Sequence, residues 1–132
     1  MGLDNGIILR ADNACPPYWA RFFGEYNFEL GGFDLCYWRN CRGLRREIIY
    51  SITSSLDEAE TTRYPLTWSD VYGIRQLLKR FTHKQVWEKY ADANAEYKHM
   101  KHTLRRQRLA LWLLERYMKK NSKTEVYFYD SY

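Results

Sequence analysis

From Val86 to Met118 the chain places residues at alternating steps of four and three: Val86, Tyr90, Ala93, Tyr97, Met100, Leu104, Gln107, Leu111, Leu114 and Met118. Only Gln107 among them is polar. Such steps keep side chains on one face of a helix, so the spacing predicts a long helix over about Lys84–Lys120, with a bend near Asn94. An apolar stripe this long needs something to lie against. A second helix is announced by Thr67 and Asp70, the Thr-x-x-Asp form of a capping box, followed by Val71, Ile74, Leu77, Leu78 and Phe81. An antiparallel helical hairpin follows. The partner is much the shorter, roughly 15 residues against 35. The surplus stripe therefore falls to a third helix, to a sheet, or to a second subunit, and a homodimer through the long helix is one expectation.

The ends of the chain read as strands. Residues 5–10, Asn5-Gly6-Ile7-Ile8-Leu9-Arg10, read as a short strand: the apolar run is β-rich, and Asn5-Gly6 has turn chemistry expected to open it. Val126-Tyr127-Phe128-Tyr129 is β-branched and aromatic, and a lone strand needs a partner. Residues 11–32 read as irregular around Pro16-Pro17, with a turn or two of helix at Tyr18–Phe23. Phe33–Trp38 reads as a strand. Leu44, Ile48 and Ile52 give a helical stripe behind Asn40 as its cap, and residues 53–66 read as an acidic linker ending at Pro65. The expected fold is α+β: one domain over residues 1–132, in which a small antiparallel sheet holding both terminal strands packs on the hairpin.

Charge is unevenly distributed. Residues 1–34 carry two basic against five acidic side chains, and residues 98–120 carry eight Lys or Arg against Glu115 alone. The positive end suits an anionic partner. Aromatic residues make up 17% of the chain, more than a core of this size needs, which points to a contact surface. Two basic-aromatic zones stand out. One is Trp38, Arg39, Arg42, Arg45 and Arg46. The other is Lys98, Lys101, His102, Arg105 and Arg108, at helical spacings of three and four, with Trp112 following. Guanidinium forks grip oxyanions while rings stack on bases, so nucleotide, RNA or DNA is the ligand chemistry these zones fit. The competing reading of the first zone makes its rings core and its arginines members of internal ion pairs.

Catalytic patterns are absent. There is no phosphate-binding loop, no G-x-G-x-x-G and no H-E-x-x-H. A Cys/His pair drawn from Cys36, Cys41, His83, His99 and His102 is the one enzymatic alternative. Three cysteines without a C-x-x-C argue against a disulfide framework and a zinc knuckle. No cofactor and no metal are expected, His99 and His102 included. With no apolar run of membrane-spanning length and no signal-peptide pattern, a cytoplasmic protein with no membrane partner is expected.

Met1-Gly2-Leu3-Asp4-Asn5-Gly6-Ile7 at the start, Phe33-Asp34-Leu35-Cys36-Tyr37-Trp38-Arg39-Asn40-Cys41-Arg42-Gly43-Leu44-Arg45 in the middle and Tyr127-Phe128-Tyr129-Asp130-Ser131-Tyr132 at the end resemble a family of small uncharacterised proteins of bacteriophages and prophages from low-GC Gram-positive bacteria. The motifs reach both ends and the centre, so the resemblance covers most of the chain. It implies a setting inside a bacterial host and no catalytic residue. It also implies a short accessory protein of a mobile element, many of which block host defence by binding. Together with the two basic-aromatic zones, this setting gives the expected function: a non-enzymatic inhibitor of host antiviral defence that binds a defence protein or its anionic ligand. A nucleic-acid or nucleotide binder without an inhibitory role is the alternative.

Overall fold

The computed structural model describes residues 4–10, 16–39, 41–53, 63–90 and 97–131. In chain order the elements are β1 (Asp4–Arg10), α1 (Ala20–Phe23), β2 (Tyr26–Asn27), β3 (Gly32–Arg39), α2 (Arg42–Thr53), β4 (Arg63–Pro65), α3 (Trp68–Phe81), α4 (Lys84–Tyr90), α5 (Tyr97–Lys120) and β5 (Val126–Ser131). The strands form one open antiparallel sheet in the order β2-β3-β1-β5-β4. The fold is α+β, with the two terminal strands side by side from Asp4 opposite Ser131 to Leu9 opposite Val126.

β1 is central, and that overrides its local turn chemistry. Asn5 and Gly6 lie within the strand and do not turn before it, because β3 and β5 pair with them on either side. Gly6 faces Tyr37 across one ladder and Tyr129 across the other. A Cβ there would come 2.5 Å from Tyr129 Cε1 and collide with the Cys36 carbonyl, so only glycine lets the Tyr129 ring lie down. Alternation then sorts the side chains. Asn5, Ile7 and Leu9, with Trp38, Val126, Phe128 and Asp130 from the neighbouring strands, face the helices. Ile7, Leu9, Trp38, Val126 and Phe128 belong to the main apolar core.

α3 begins as its sequence dictates. Thr67 Oγ1 accepts from the Asp70 amide and the Asp70 carboxylate accepts from the Thr67 amide, satisfying two otherwise orphaned donors. Val71, Ile74, Leu77, Leu78 and Phe81 are all buried. They meet the stripe of α5, where Met100, Leu104, Leu111, Leu114 and Met118 are buried in turn. Trp68 touches Lys119 and Arg75 touches Glu115, so the two helices run antiparallel. The polar break in the stripe is where α5 docks on the sheet. Trp38 Nε1 donates to Gln107 Oε1 at 2.8 Å, and Gln107 Nε2 donates to the Tyr37 carbonyl at 3.3 Å. The surplus stripe is thus met by β3, and α1 also lies against α5, with Trp19 just before it edge-on to Tyr117.

Several expected boundaries move. The helix expected over Lys84–Lys120 comprises α4 and α5; residues 91–96, with the expected bend at Asn94, lie outside the described residues, as do Cys15 and the expected cap Asn40. The expected linker over 53–66 contains β4, which pairs with β5, and its residues 54–62 are likewise outside the description. Pro65 is tolerated there because β4 is the edge strand of the sheet among the described residues. The irregular segment contains β2, only two residues long.

A polar network ties the helix side together. Arg45, at 5% exposure, grips Asp130, also 5%, through Nε to Oδ1 at 2.8 Å and Nη2 to Oδ2 at 2.6 Å. Asn5 Nδ2 donates to the same Oδ1 at 2.5 Å. One carboxylate therefore links α2, β1 and β5. Removing only one partner of a buried pair leaves an uncompensated charge. Arg45→Met is expected to lower the unfolding free energy by about 3–5 kcal/mol, and adding Asp130→Leu to recover most of that loss. Arg42→Glu with Arg46→Glu, both exposed, is expected to stay within about 0.5 kcal/mol of the parent. Urea denaturation of the four proteins makes the comparison.

Candidate functional site

The structure divides the first basic-aromatic zone. Trp38 is fully buried and spends its N–H on Gln107, and Arg45 is buried against Asp130. Both are internal, as the competing reading of this zone has it. Local sequence placed Arg45 off the apolar stripe of α2, but its partner lies 85 positions away on β5. Arg39, Arg42 and Arg46 remain exposed. Arg39 follows Tyr37 at a two-residue step, which puts it on the sheet face opposite Trp38 and α5. These residues therefore do not gather into one basic-aromatic patch.

The second zone stays together. Lys98, His102 and Arg105 are exposed and Lys101 and Arg108 half-buried, all on the outer side of α5. The same side continues through Leu109, Trp112 and Arg116 to Lys120, all exposed. The sole acid of α5, Glu115, is turned inward and held by Arg75 at 2.9 Å and Lys119 at 3.3 Å. Like charges at helical neighbour positions repel, so the row carries a standing unfavourable field that an anion relieves.

Aromatic rings are set among these cations. The Arg116 guanidinium lies 4.9 Å over the ring of Trp112, which is 41% exposed. Lys101 lies 5.8 Å over Tyr97 and Lys119 4.4 Å over Trp68. On the α1 side, Arg106 lies 5.1 Å over the Phe23 ring and donates to the Phe22 carbonyl, and Phe22 is 66% exposed. Helical spacing makes the cation row readable from sequence. The pairing with α1 is not, because it joins residues more than eighty positions apart.

A different group sits on the sheet face away from the helices. Tyr37 O–H donates to Asp4 Oδ1 at 2.7 Å, and Tyr129 O–H donates to Asp34 Oδ2 at 3.1 Å. Asp34 lies beside a bulge, where Ile7 is opposite Cys36 but Ile8 is opposite Asp34. Its Oδ1 is buried and has no hydrogen-bond partner among the described residues. Burial pushes the Asp34 carboxyl up to about 6, with the Tyr129 hydrogen bond pulling weakly the other way. Burial and the neighbouring Asp34 raise the Tyr129 phenol, and the hydrogen bond to Asp4 raises that of Tyr37. Sequence alone gives no sign of this group, which the strand register assembles from β1, β3 and β5.

Nucleophilic chemistry finds no support at the described cysteines. Cys36 and Cys41 are free and buried. Burial raises the Cys36 thiol well above its ordinary value and pushes that of Cys41 up to about 11, the reverse of an activated thiolate. Among the described residues no cluster of three His, Cys, Asp or Glu is placed to hold a metal ion. A cavity of about 450 Å³ between the start of α3 and the end of α5 offers Lys119 beside Trp68, and one of about 500 Å³ offers Arg21 among Tyr26, Phe28 and Phe33. Each of the two brings a single cation to its aromatic rings. Among the described residues no helix is long and apolar enough to cross a membrane.

Compared with family models, curated proteins and solved structures, the chain finds no match.

The Asp34 carboxyl makes stability depend on pH. Unfolded it loses its proton near 3.8, and folded it holds it to about 6. The folded state binds the extra proton in that window, so stability falls as pH rises through it, and the ionised carboxylate is a continuing cost above it. Asp34→Asn keeps an acceptor for Tyr129 and removes that cost. The variant is expected to gain about 1–2 kcal/mol at pH 7.5, allowing for solvent near the half-buried group, and little at pH 4. Thermal melts at the two pH values check this.

Proposed function

We propose that this protein acts by binding rather than by catalysis, and that the outer row of α5 is its contact surface for an anionic partner. The observation that carries this reading is the row itself: Lys98, Lys101, Arg105 and Arg116 share one side of a helix whose only acid is turned inward. The buried, proton-retaining thiols support a non-catalytic role. In the bacteriophage setting that the three sequence motifs imply, such a surface serves an inhibitor of host antiviral defence. It engages the anionic ligand of a defence protein, or an acidic face of that protein. The bacterial cytoplasm is the compartment this role requires.

Two variants of equal charge change separate a site from bulk charge. On a heparin column, Lys101→Glu with Arg105→Glu is expected to elute at clearly lower salt than the parent, and Arg42→Glu with Arg46→Glu close to it. Equal shifts would reduce the attraction to net charge alone. Native mass spectrometry of protein freshly purified from its bacterial host is expected to show an added mass of a bound anionic partner that the α5 variant lacks.

A further inference from the structure

We propose that the anionic partner of the α5 row is a single-stranded nucleic acid, its phosphates met by the cations and its bases stacked on the aromatic rings set among them. This rests on the reading of the row as a binding surface and adds the class of ligand.

Three features select a single strand. The first is stacking. Trp112 is exposed and already carries the Arg116 guanidinium against its ring at 4.9 Å. A planar cation on an aromatic ring is a step that an unpaired base can continue, whereas bases inside a duplex offer no free face. Phe22, whose backbone carbonyl accepts from Arg106, is a second exposed aromatic residue, and the Arg106 guanidinium covers Phe23. The second feature is the set of the helix in the fold. α5 is flanked by α3 and α1 and backed by β3. Among the described residues its outer side alone is open, so it does not project as a helix must to enter a major groove about 12 Å wide. The third is length. Lys98 to Arg116 spans about 27 Å of helix, room for several nucleotides, and the two cavities described above each offer one cation. A mononucleotide would use only a fraction of this row.

Stacking also gives a readout that charge alone does not. Base–aromatic stacking is worth about 1–3 kcal/mol per base, which is roughly a tenfold change in affinity or more. The test is fluorescence anisotropy with a labelled mixed-sequence strand of about 15 nucleotides, its duplex, and inorganic polyphosphate as a base-free polyanion. The single strand is expected to bind at least about tenfold more tightly than the duplex. Trp112→Ala is expected to weaken the single strand by about tenfold and leave polyphosphate binding unchanged, while Trp112→Tyr restores most of the affinity. Arg105→Gln is expected to lower the slope of log affinity against log salt by about 0.7 for the single strand. Far-UV circular dichroism melts that match the parent show that each variant is folded. Equal binding of strand and duplex, or a Trp112→Ala protein with parental affinity, overturns the single-strand assignment and leaves the anionic surface standing. Binding to neither nucleic acid nor polyphosphate overturns both.

Discussion

One carboxylate, Asp130, anchors the architecture. It sits on the C-terminal strand, receives both arms of Arg45 from α2, and takes a third bond from Asn5 on the N-terminal strand. Charges this deep are tolerated only when paired and hydrogen-bonded, so the network admits one arrangement of β1, β5 and α2. A shift of β5 by one residue would turn Asp130 to the opposite face and break its bonds to Arg45 and Asn5. Chain ends that are far apart in sequence are thereby fixed side by side at the centre of the sheet.

The network also divides the basic residues by role. Arg45 is structural, held at 5% exposure, and Arg75 and Lys119 are occupied by the inward Glu115. The outer cations of α5 have no acid on their own side of the helix. The sheet and α3 bury the stripe of α5, and α1 lies along its flank, so the opposite side is presented as a fixed row. A row on a rigid helix keeps its spacing without the partner, which lowers the ordering cost of binding.

The helices were the most legible part of the sequence. Thr67 with Asp70, the apolar run to Phe81 and the alternating stripe of α5 are local signals, and local signals decide helices. Gln107 stood out as the one polar member of the stripe, but its meaning needed Trp38, 69 positions away. Strand placement was legible as far as the two ends pairing, because a lone aromatic strand has to find an edge. The very short strands β2 and β4 carry too few residues for alternation to show. The outward row of α5 was readable for the same reason as its buried stripe: both are periodic. For Trp38 and Arg45 the sequence left surface and interior both open, because burial of a polar side chain depends on a distant partner, which spacing does not encode. The Asp34 group was invisible for the related reason that only strand register brings Asp4, Asp34, Tyr37 and Tyr129 together.

Arg45, Arg75 and Lys119 are neutralised by inward carboxylates while the outer side of α5 stays charged, and that outer side is the proposed contact surface. Ultraviolet crosslinking of a single-stranded oligonucleotide to the protein, with the attached peptides mapped by mass spectrometry, tests it most directly. The account predicts attachment within Lys98–Arg116, centred on Trp112, and none within Arg39–Arg46. Attachment concentrated at Arg39–Arg46 with α5 unmodified would contradict it.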